Sequence, residues 1–378
     1  MADVSSMTHW IDTPSALDAV CQHLEKSRVI ALDTEFKRET TFNAIPALIQ
    51  LSDGVSVWFI DPVAIAATPA FQQLMQSSDT LKLIHACSED LEVLAQWGGC
   101  VPAPLMDTQI AESLLGPIPA MGYQKLVEKY LAIPLDKGAT RSDWLKRPLS
   151  STQYEYAALD VLYLPAIWAL QKEALEEKGR LSWVFEDCQR LIESAEAPSD
   201  YSQYYLRHRN AWKLSKRALG VFAALCEWRE TQVRERDIPR NWLVSDAVLF
   251  EMAEKMPRDK AGLAVIKELK RSVLKQDGNR ILAIISQALK DKPDVVTLIS
   301  PVTPFYRQAQ KVLKGKVKQQ AELLDIAPEV LVRRRDYDDW ITVAAHDSQK
   351  LDECSLGGWR GDLLDATFRK SLDTPSVS

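Results

Sequence analysis

Asp33-Thr34-Glu35 closes an apolar run, residues 28–34 (RVIALDT), that reads as a buried strand. Residues two apart on a strand point to the same side, so the two carboxylates project together. Neighbouring acids at the end of a buried strand repel each other and resist desolvation. A divalent cation removes that penalty, and hard oxygen donors suit Mg²⁺ or Mn²⁺. D-x-E is a common pattern, and by itself it reads better as a polar strand end before the basic Phe36-Lys37-Arg38.

Two further segments carry the same chemistry. In His85-Ala-Cys-Ser-Glu-Asp90 a strand ends at His85 and Asp90 falls in the first turn of a helix. The helix dipole alone would justify a carboxylate there, and a lone histidine is usually a satisfied loop or core residue. In Tyr156-Ala-Ala-Leu-Asp160 helical spacing stacks the phenol and the carboxylate on one face. A Tyr–Asp surface pair is the plainer reading of that segment. Taken together, four acids in three separate segments could offer hard oxygen ligands to a divalent cation.

The elements that must position these groups are legible. Thr13-Pro14 opens a short amphipathic helix. Residues 44–51 (AIPALIQL) and 55–60 (VSVWFI) flank Asp53-Gly54, a strong hairpin signal. A strand at 81–86 follows, then a helix from about Ser88 and helices near 108–115, 122–131 and 152–177. Three antiparallel strands followed by alternating helix and strand imply an α/β domain with a mixed sheet. The polar stretch 194–203 reads as a linker, and from about Arg207 the pattern is almost wholly helical. A proline-bearing break at 291–304 divides that helical part in two.

At 378 residues two or three domains are expected, here 1–195, 207–290 and 300–373. Charge is split between them. Residues 1–200 carry 15 Lys and Arg against 28 Asp and Glu, a net of −13; residues 201–290 carry 18 against 10, a net of +8. Residues 291–378 are near neutral, 13 against 14. A carboxylate-rich metal domain joined to a basic, phosphate-gripping one would give this asymmetry. The six cysteines are scattered without a C-x-x-C pair, which argues against a zinc site or disulfide framework and fits a reducing cytoplasm. The N-terminus lacks a signal-peptide pattern, and the most apolar early run, 57–67, is broken by Asp61-Pro62, so no membrane association is expected.

The conjunction D-x-E, H-x₄-D, Y-x₃-D in this order resembles motifs I, II and III of the DEDDy exonuclease superfamily, whose members share a ribonuclease H-like core. The surroundings ALDTEF, IQLSDG, HACSEDLEVL, LDKGATRSDWLKRPL and QYEYAALDVLYL look like ribonuclease D. Residues 210–217 (NAWKLSKR) and 228–241 (WRETQVRERDIPRN) resemble the HRDC module of ribonuclease D and RecQ-type helicases. The resemblance implies an α/β ribonuclease H-like exonuclease domain followed by two all-α HRDC-type domains, the second diverged and expected to serve as a brace.

It further implies a 3′→5′ exoribonuclease that releases nucleoside 5′-monophosphates from RNA 3′ ends, with the 3′ trailers of tRNA precursors as the expected substrate. Asp33, Glu35, Asp90 and Asp160 take the places of the ligands to two divalent cations, Mg²⁺ or Mn²⁺ with Zn²⁺ as a further option. Tyr156 takes the place of the tyrosine that orients the attacking water. His85, Lys137 and Arg141 are candidate substrate contacts, and Phe36 and Trp144 candidate stacking partners for terminal bases. A monomer without nucleotide cofactor is expected. The rivals are a DNA 3′→5′ exonuclease, since the four-acid chemistry is indifferent to the sugar, and a non-catalytic nucleic-acid-binding protein. An HRDC-bearing helicase would need a G-x₄-G-K-[ST] loop, which the chain lacks.

Overall fold

A computed structural model describes residues 4–135, 142–198, 200–208 and 210–373. The chain begins with β1 (Thr8–Ile11), α1 (Pro14–Leu24), β2 (Val29–Lys37), β3 (Ile45–Ser52), β4 (Val57–Ile60), α2 (Pro69–Gln76), β5 (Leu81–Ile84), α3 (Ser88–Gly98) and β6 (Leu105–Asp107). The strands form one mixed sheet in the order β1-β4-β3-β2-β5-β6. β2, β3 and β4 pair antiparallel, as the hairpin signal implies, whereas β1, β5 and β6 join parallel to their neighbours. Strands β1 and β6, of four and three residues, escaped the sequence reading because so short a run carries no period. The hairpin loop is longer than expected and includes Val55; the Asp53 carboxylate closes it by accepting from the N–H groups of Val55 and Ser56 at 2.9 and 2.8 Å.

Alternation along β2 assigns its residues to two cores. Ile30 and Leu32 face α1, α2 and α3 with Ile49, Ile60, Leu17, Phe71 and Leu94. Ala31 faces the opposite way, with Leu48, Phe59 and Leu83 from neighbouring strands. That second face is covered by α4 (Thr108–Ser113), α6 (Ser151–Leu162), α7 (Leu164–Glu177) and α8 (Leu181–Glu196), with α5 (Tyr123–Leu131) packed on the outer side of α7. The single helix read over 152–177 is thus two, broken at Tyr163. Pro165 has no N–H to donate and its ring would clash with the carbonyl of Val161, so the first helix stops and Pro165 serves in the first turn of the second.

The remainder is helical: α9 (Lys216–Glu235), α10 (Arg240–Leu243), α11 (Asp246–Lys255), α12 (Lys260–Ala264) and α13 (Arg271–Asp291), then α14 (Pro304–Leu324), α15 (Pro328–Leu331), α16 (Arg334–His346) and α17 (Gly358–Asp373). The first group has its own core around Leu219, Phe222, Leu249 and Ile281. The second group shares a continuous core with the sheet-covering helices, in which Val184 and Cys188 of α8 join Leu313, Trp340 and Phe368. Trp183 and Trp359 stack with centroids 4.4 Å apart, and the Arg360 guanidinium holds the Asp187 carboxylate at both oxygens. Buried Arg180 donates to the carbonyls of Leu114 and Leu324, tying the ends of α4 and α14 together. No helix among the described residues is long and apolar enough to cross a membrane. All six cysteines are free.

Candidate active site

Asp33 and Glu35 lie on the α6 side of β2, opposite Gln50 and Leu48 of β3. Pairing with β3 shifts by a bulge between Glu35 and Phe36, just past the second acid. Above them, α6 starts at a capping box: the Ser150 hydroxyl accepts from the N–H of Gln153, whose side chain accepts from the N–H of Ser150. Ala157 and Ala158 are fully buried, and their small size lets the helix approach the sheet closely. Asp160 therefore arrives over β2, and one carboxylate oxygen from each of Asp33, Glu35 and Asp160 can be chosen so that all lie within 4.8 Å of one another. Tyr156, one turn earlier, brings its hydroxyl near Asp160, close enough to favour that carboxylate's charged form.

Asp90, in the first turn of α3, is buried and accepts a 2.6 Å hydrogen bond from the hydroxyl of Thr34. Thr34 points to the opposite face of the strand from Asp33 and Glu35, so one three-residue segment carries two of the acids and holds a third. Asp90 stands outside the tight group of three, but its charge acts on that group directly. Burial raises the Asp33 carboxyl well above its ordinary range, and Asp90, Asp160 and Glu35 raise it further. Burial, then Asp160 and Asp90, pushes Glu35 up to about 9. Burial lifts Asp160 to about 7, against the hydrogen bond from Tyr156, and Asp90 to about 6, against that from Thr34. Such a group cannot hold all its charges unaided, and a hard, all-oxygen donor set of this kind fits a divalent cation. The Tyr156 phenol is also raised, by burial and then by Asp160 and Glu35, so it keeps its proton.

His85 sits at the end of β5 with Nδ1 2.9 Å from the Thr108 hydroxyl and its ring 5.6 Å from that of Tyr123. Tyr123 in turn donates to the Leu159 carbonyl at 2.6 Å. His85 thus lies behind a tyrosine that backs the helix carrying Asp160, and burial lowers its pKa, favouring the neutral ring. Trp144 is 3% exposed and packs 6.0 Å from the Tyr156 ring. It cannot offer a face to a base, which corrects the stacking expectation: its indole is core that backs the Tyr156 ring. Phe36 is half-buried with the Arg38 guanidinium 5.6 Å from its centroid. Lys137 and Arg141 lie outside the described residues.

Two positioning groups went unread in the sequence. Asp107 caps α4 through the N–H groups of Gln109 and Ile110 and also accepts from Ala86 and Cys87 at 3.1 and 2.9 Å. It thereby holds the turn, with Ala86 at φ +60°, that launches α3 and Asp90. An Asp directly before a helical run is an N-cap signal, but its second role is tertiary. Arg147 bridges Asp61 at 2.7 and 2.9 Å, the Ala47 carbonyl at 2.6 Å and the Trp144 carbonyl at 2.7 Å, pinning the approach to α6 against the sheet.

Comparison with known proteins agrees with this geometry. The sequence model of a 3′→5′ exonuclease family matches residues 8–174, and that of the HRDC domain matches residues 218–285. Ribonuclease D of Pseudomonas paraeruginosa is 34% identical over 97% of this chain and 97% of its own length. Ribonuclease D of Escherichia coli is 34% identical over 94% of this chain and 95% of its own. The crystal structure of E. coli RNase D, described as an exoribonuclease involved in structured RNA processing, superposes with a TM-score of 0.86 at 32% identity, covering 97% of this chain and 98% of that one. Similarity at this level runs through the sheet, the acid-bearing segments and both helical regions, and the chain belongs to the ribonuclease D family of 3′→5′ exoribonucleases.

Proposed function

We propose that the chain trims the 3′ trailers of tRNA precursors, releasing nucleoside 5′-monophosphates one at a time, with Asp33, Glu35, Asp90 and Asp160 holding two divalent cations, Mg²⁺ or Mn²⁺. The observation that carries the reading is the convergence of the Asp33, Glu35 and Asp160 oxygens within 4.8 Å at a half-buried strand–helix junction. Bound there, the cations supply Lewis-acid stabilisation of the charge that builds on the scissile phosphate and the departing 3′-oxygen. Asp33 and Glu35 hold them from the strand and Asp160 from the helix. Asp90, kept in place by Thr34, completes the set from the opposite side of β2.

Tyr156 keeps its proton, so it works as a hydrogen-bonding positioner of the attacking water rather than as a base. Trp144 behind its ring restricts its motion. The basic region 207–290 grips backbone phosphates without reading sequence, and 300–373, a diverged copy of the same module, braces the exonuclease unit of 1–195. Six free thiols, four of them buried, favour the reducing cytoplasm as the place of action.

The test is parallel digestion of a tRNA precursor with a 3′ trailer, a structured RNA without one, and single-stranded DNA, with and without Mg²⁺. Stepwise, Mg²⁺-dependent release of 5′-monophosphates, fastest from the trailer, is expected. Degradation of DNA at an equal rate would overturn the choice of RNA, and no release from any substrate would overturn catalysis.

A further inference from the structure

Gln50 lies on the same face of the sheet as Asp33 and Glu35 and is neither an acid nor an apolar core residue. It is the direct cross-strand partner of Asp33, and partners in an antiparallel ladder project from the same face with Cβ atoms about 5 Å apart. Its other neighbour across the ladder, Phe59, and the residue two before it, Leu48, are fully buried and apolar. Gln50 is itself 0% exposed, yet neither its amide nitrogen nor its amide oxygen has a hydrogen-bond partner. Ser52, next on the same face, is by contrast satisfied through the N–H of Gly54 at 3.0 Å.

An amide with two donors and an acceptor is a poor filler for a space bounded by Leu48 and Phe59, because a buried polar group without a partner destabilises the fold. A leucine or methionine would pack there without that penalty. What an amide adds beside Asp33 is a neutral donor. It brings no further negative charge to a crowded group of acids, and it can hold a carboxylate in one orientation. Metal ligands are commonly oriented by such outer hydrogen bonds.

We propose that Gln50 is a positioning residue for the cation site: its Nε2–H donates to the Asp33 carboxylate oxygen left free when the other oxygen binds a divalent cation. The inference rests on the reading of Asp33, Glu35 and Asp160 as cation ligands. It explains why a residue with no partner of its own is held at full burial opposite the central acid of the site.

The experiment measures Mn²⁺ affinity by the electron paramagnetic resonance of the free ion, using the full-length protein and its D33N, Q50L and Q50M forms. Metal-free melting temperatures and steady-state kinetics on RNA are recorded beside it. Q50L and Q50M should melt, without metal, at or above the wild-type temperature and bind Mn²⁺ about 10- to 100-fold more weakly. Their kcat should fall while KM for RNA stays constant. Wild-type Mn²⁺ affinity in both variants would overturn the proposal, and so would a lowered metal-free melting temperature with unchanged affinity, which would make Gln50 a packing residue. If D33N binds Mn²⁺ as well as the wild type, the cation-site reading itself fails, whatever Gln50 does.

Discussion

The carboxylate of Asp237, beyond the C-terminal end of α9, accepts hydrogen bonds from the backbone N–H groups of Phe42 and Asn43 at 3.0 and 2.8 Å. These two residues lie in the connection that leaves the strand bearing Asp33 and Glu35. The Phe42 ring is flanked by the guanidinium groups of Arg234 and Arg240, 4.3 and 4.9 Å from its centroid. Both arginines are held by the fully buried Glu230, at 2.7 and 2.8 Å. The basic helical module is therefore clasped to the connection that leaves the strand bearing Asp33 and Glu35.

Replacing Asp237 by Ala should remove both hydrogen bonds and weaken the clasp by about 1–2 kcal/mol, since the contact is solvent-exposed. Limited proteolysis should then cut the connection around residues 38–43 sooner, and KM for RNA should rise. Asp237 has φ +48°, which Asn tolerates, so D237N should show a smaller effect. Proteolysis indistinguishable from wild type in D237A would refute the clasp.

Asp33→Ala and Tyr156→Phe should separate binding of the cation from orientation of the water. D33A removes a ligand whose cation supplies several kcal/mol of charge stabilisation, so activity should fall by about 10³-fold or more while RNA binding persists. Y156F should leave Mn²⁺ affinity unchanged and lower kcat by roughly 10²-fold, the range of a misplaced reacting group. Normal turnover by either variant would remove that residue from the site.

Metal-free stability should decline with rising pH across the active-site window. Folding raises the carboxyl pKa values of Asp90, Asp160 and Glu35 to about 6, 7 and 9, so the folded state keeps protons that the unfolded chain has released. The contribution is fully present below the ordinary carboxylate range and is lost as pH climbs through those values. A divalent cation replaces the protons, so the rise in melting temperature produced by Mg²⁺ should grow between pH 5 and 9. Thermal scans with Mg²⁺ or with chelator check both signs; a Mg²⁺ effect that shrinks with pH would contradict the site's electrostatics.

Arg360→Ala should destabilise the whole molecule. It leaves the buried Asp187 carboxylate, which also accepts from the indole N–H of Trp359, without its cation. Breaking a buried pair from one side costs about 3–5 kcal/mol. Because α17 shares its core with α8, chemical denaturation should show one earlier transition rather than local loss of the last helices. A separate early transition confined to residues 300–373 would mean that the two parts are energetically independent.

What the sequence determined by itself is what backbone geometry repeats locally. The two-residue period of a strand pairs Asp33 with Glu35, and helical stacking pairs Tyr156 with Asp160, wherever those elements lie. The hairpin, the mixed sheet and the division into an acidic and a basic part were legible for the same reason, and the motif order carried the family. Only the tertiary structure decided contacts between residues far apart in the chain. Thr34 reaches Asp90 across 56 residues and Phe42 reaches Asp237 across 195. No local period predicts which buried threonine will hold an acid, that Trp144 is core and not a stacking surface, or that Gln50 faces Asp33 without a partner. Those outcomes depend on how sheet and helices pack, because each is settled by the space left between elements rather than by the conformation of either one.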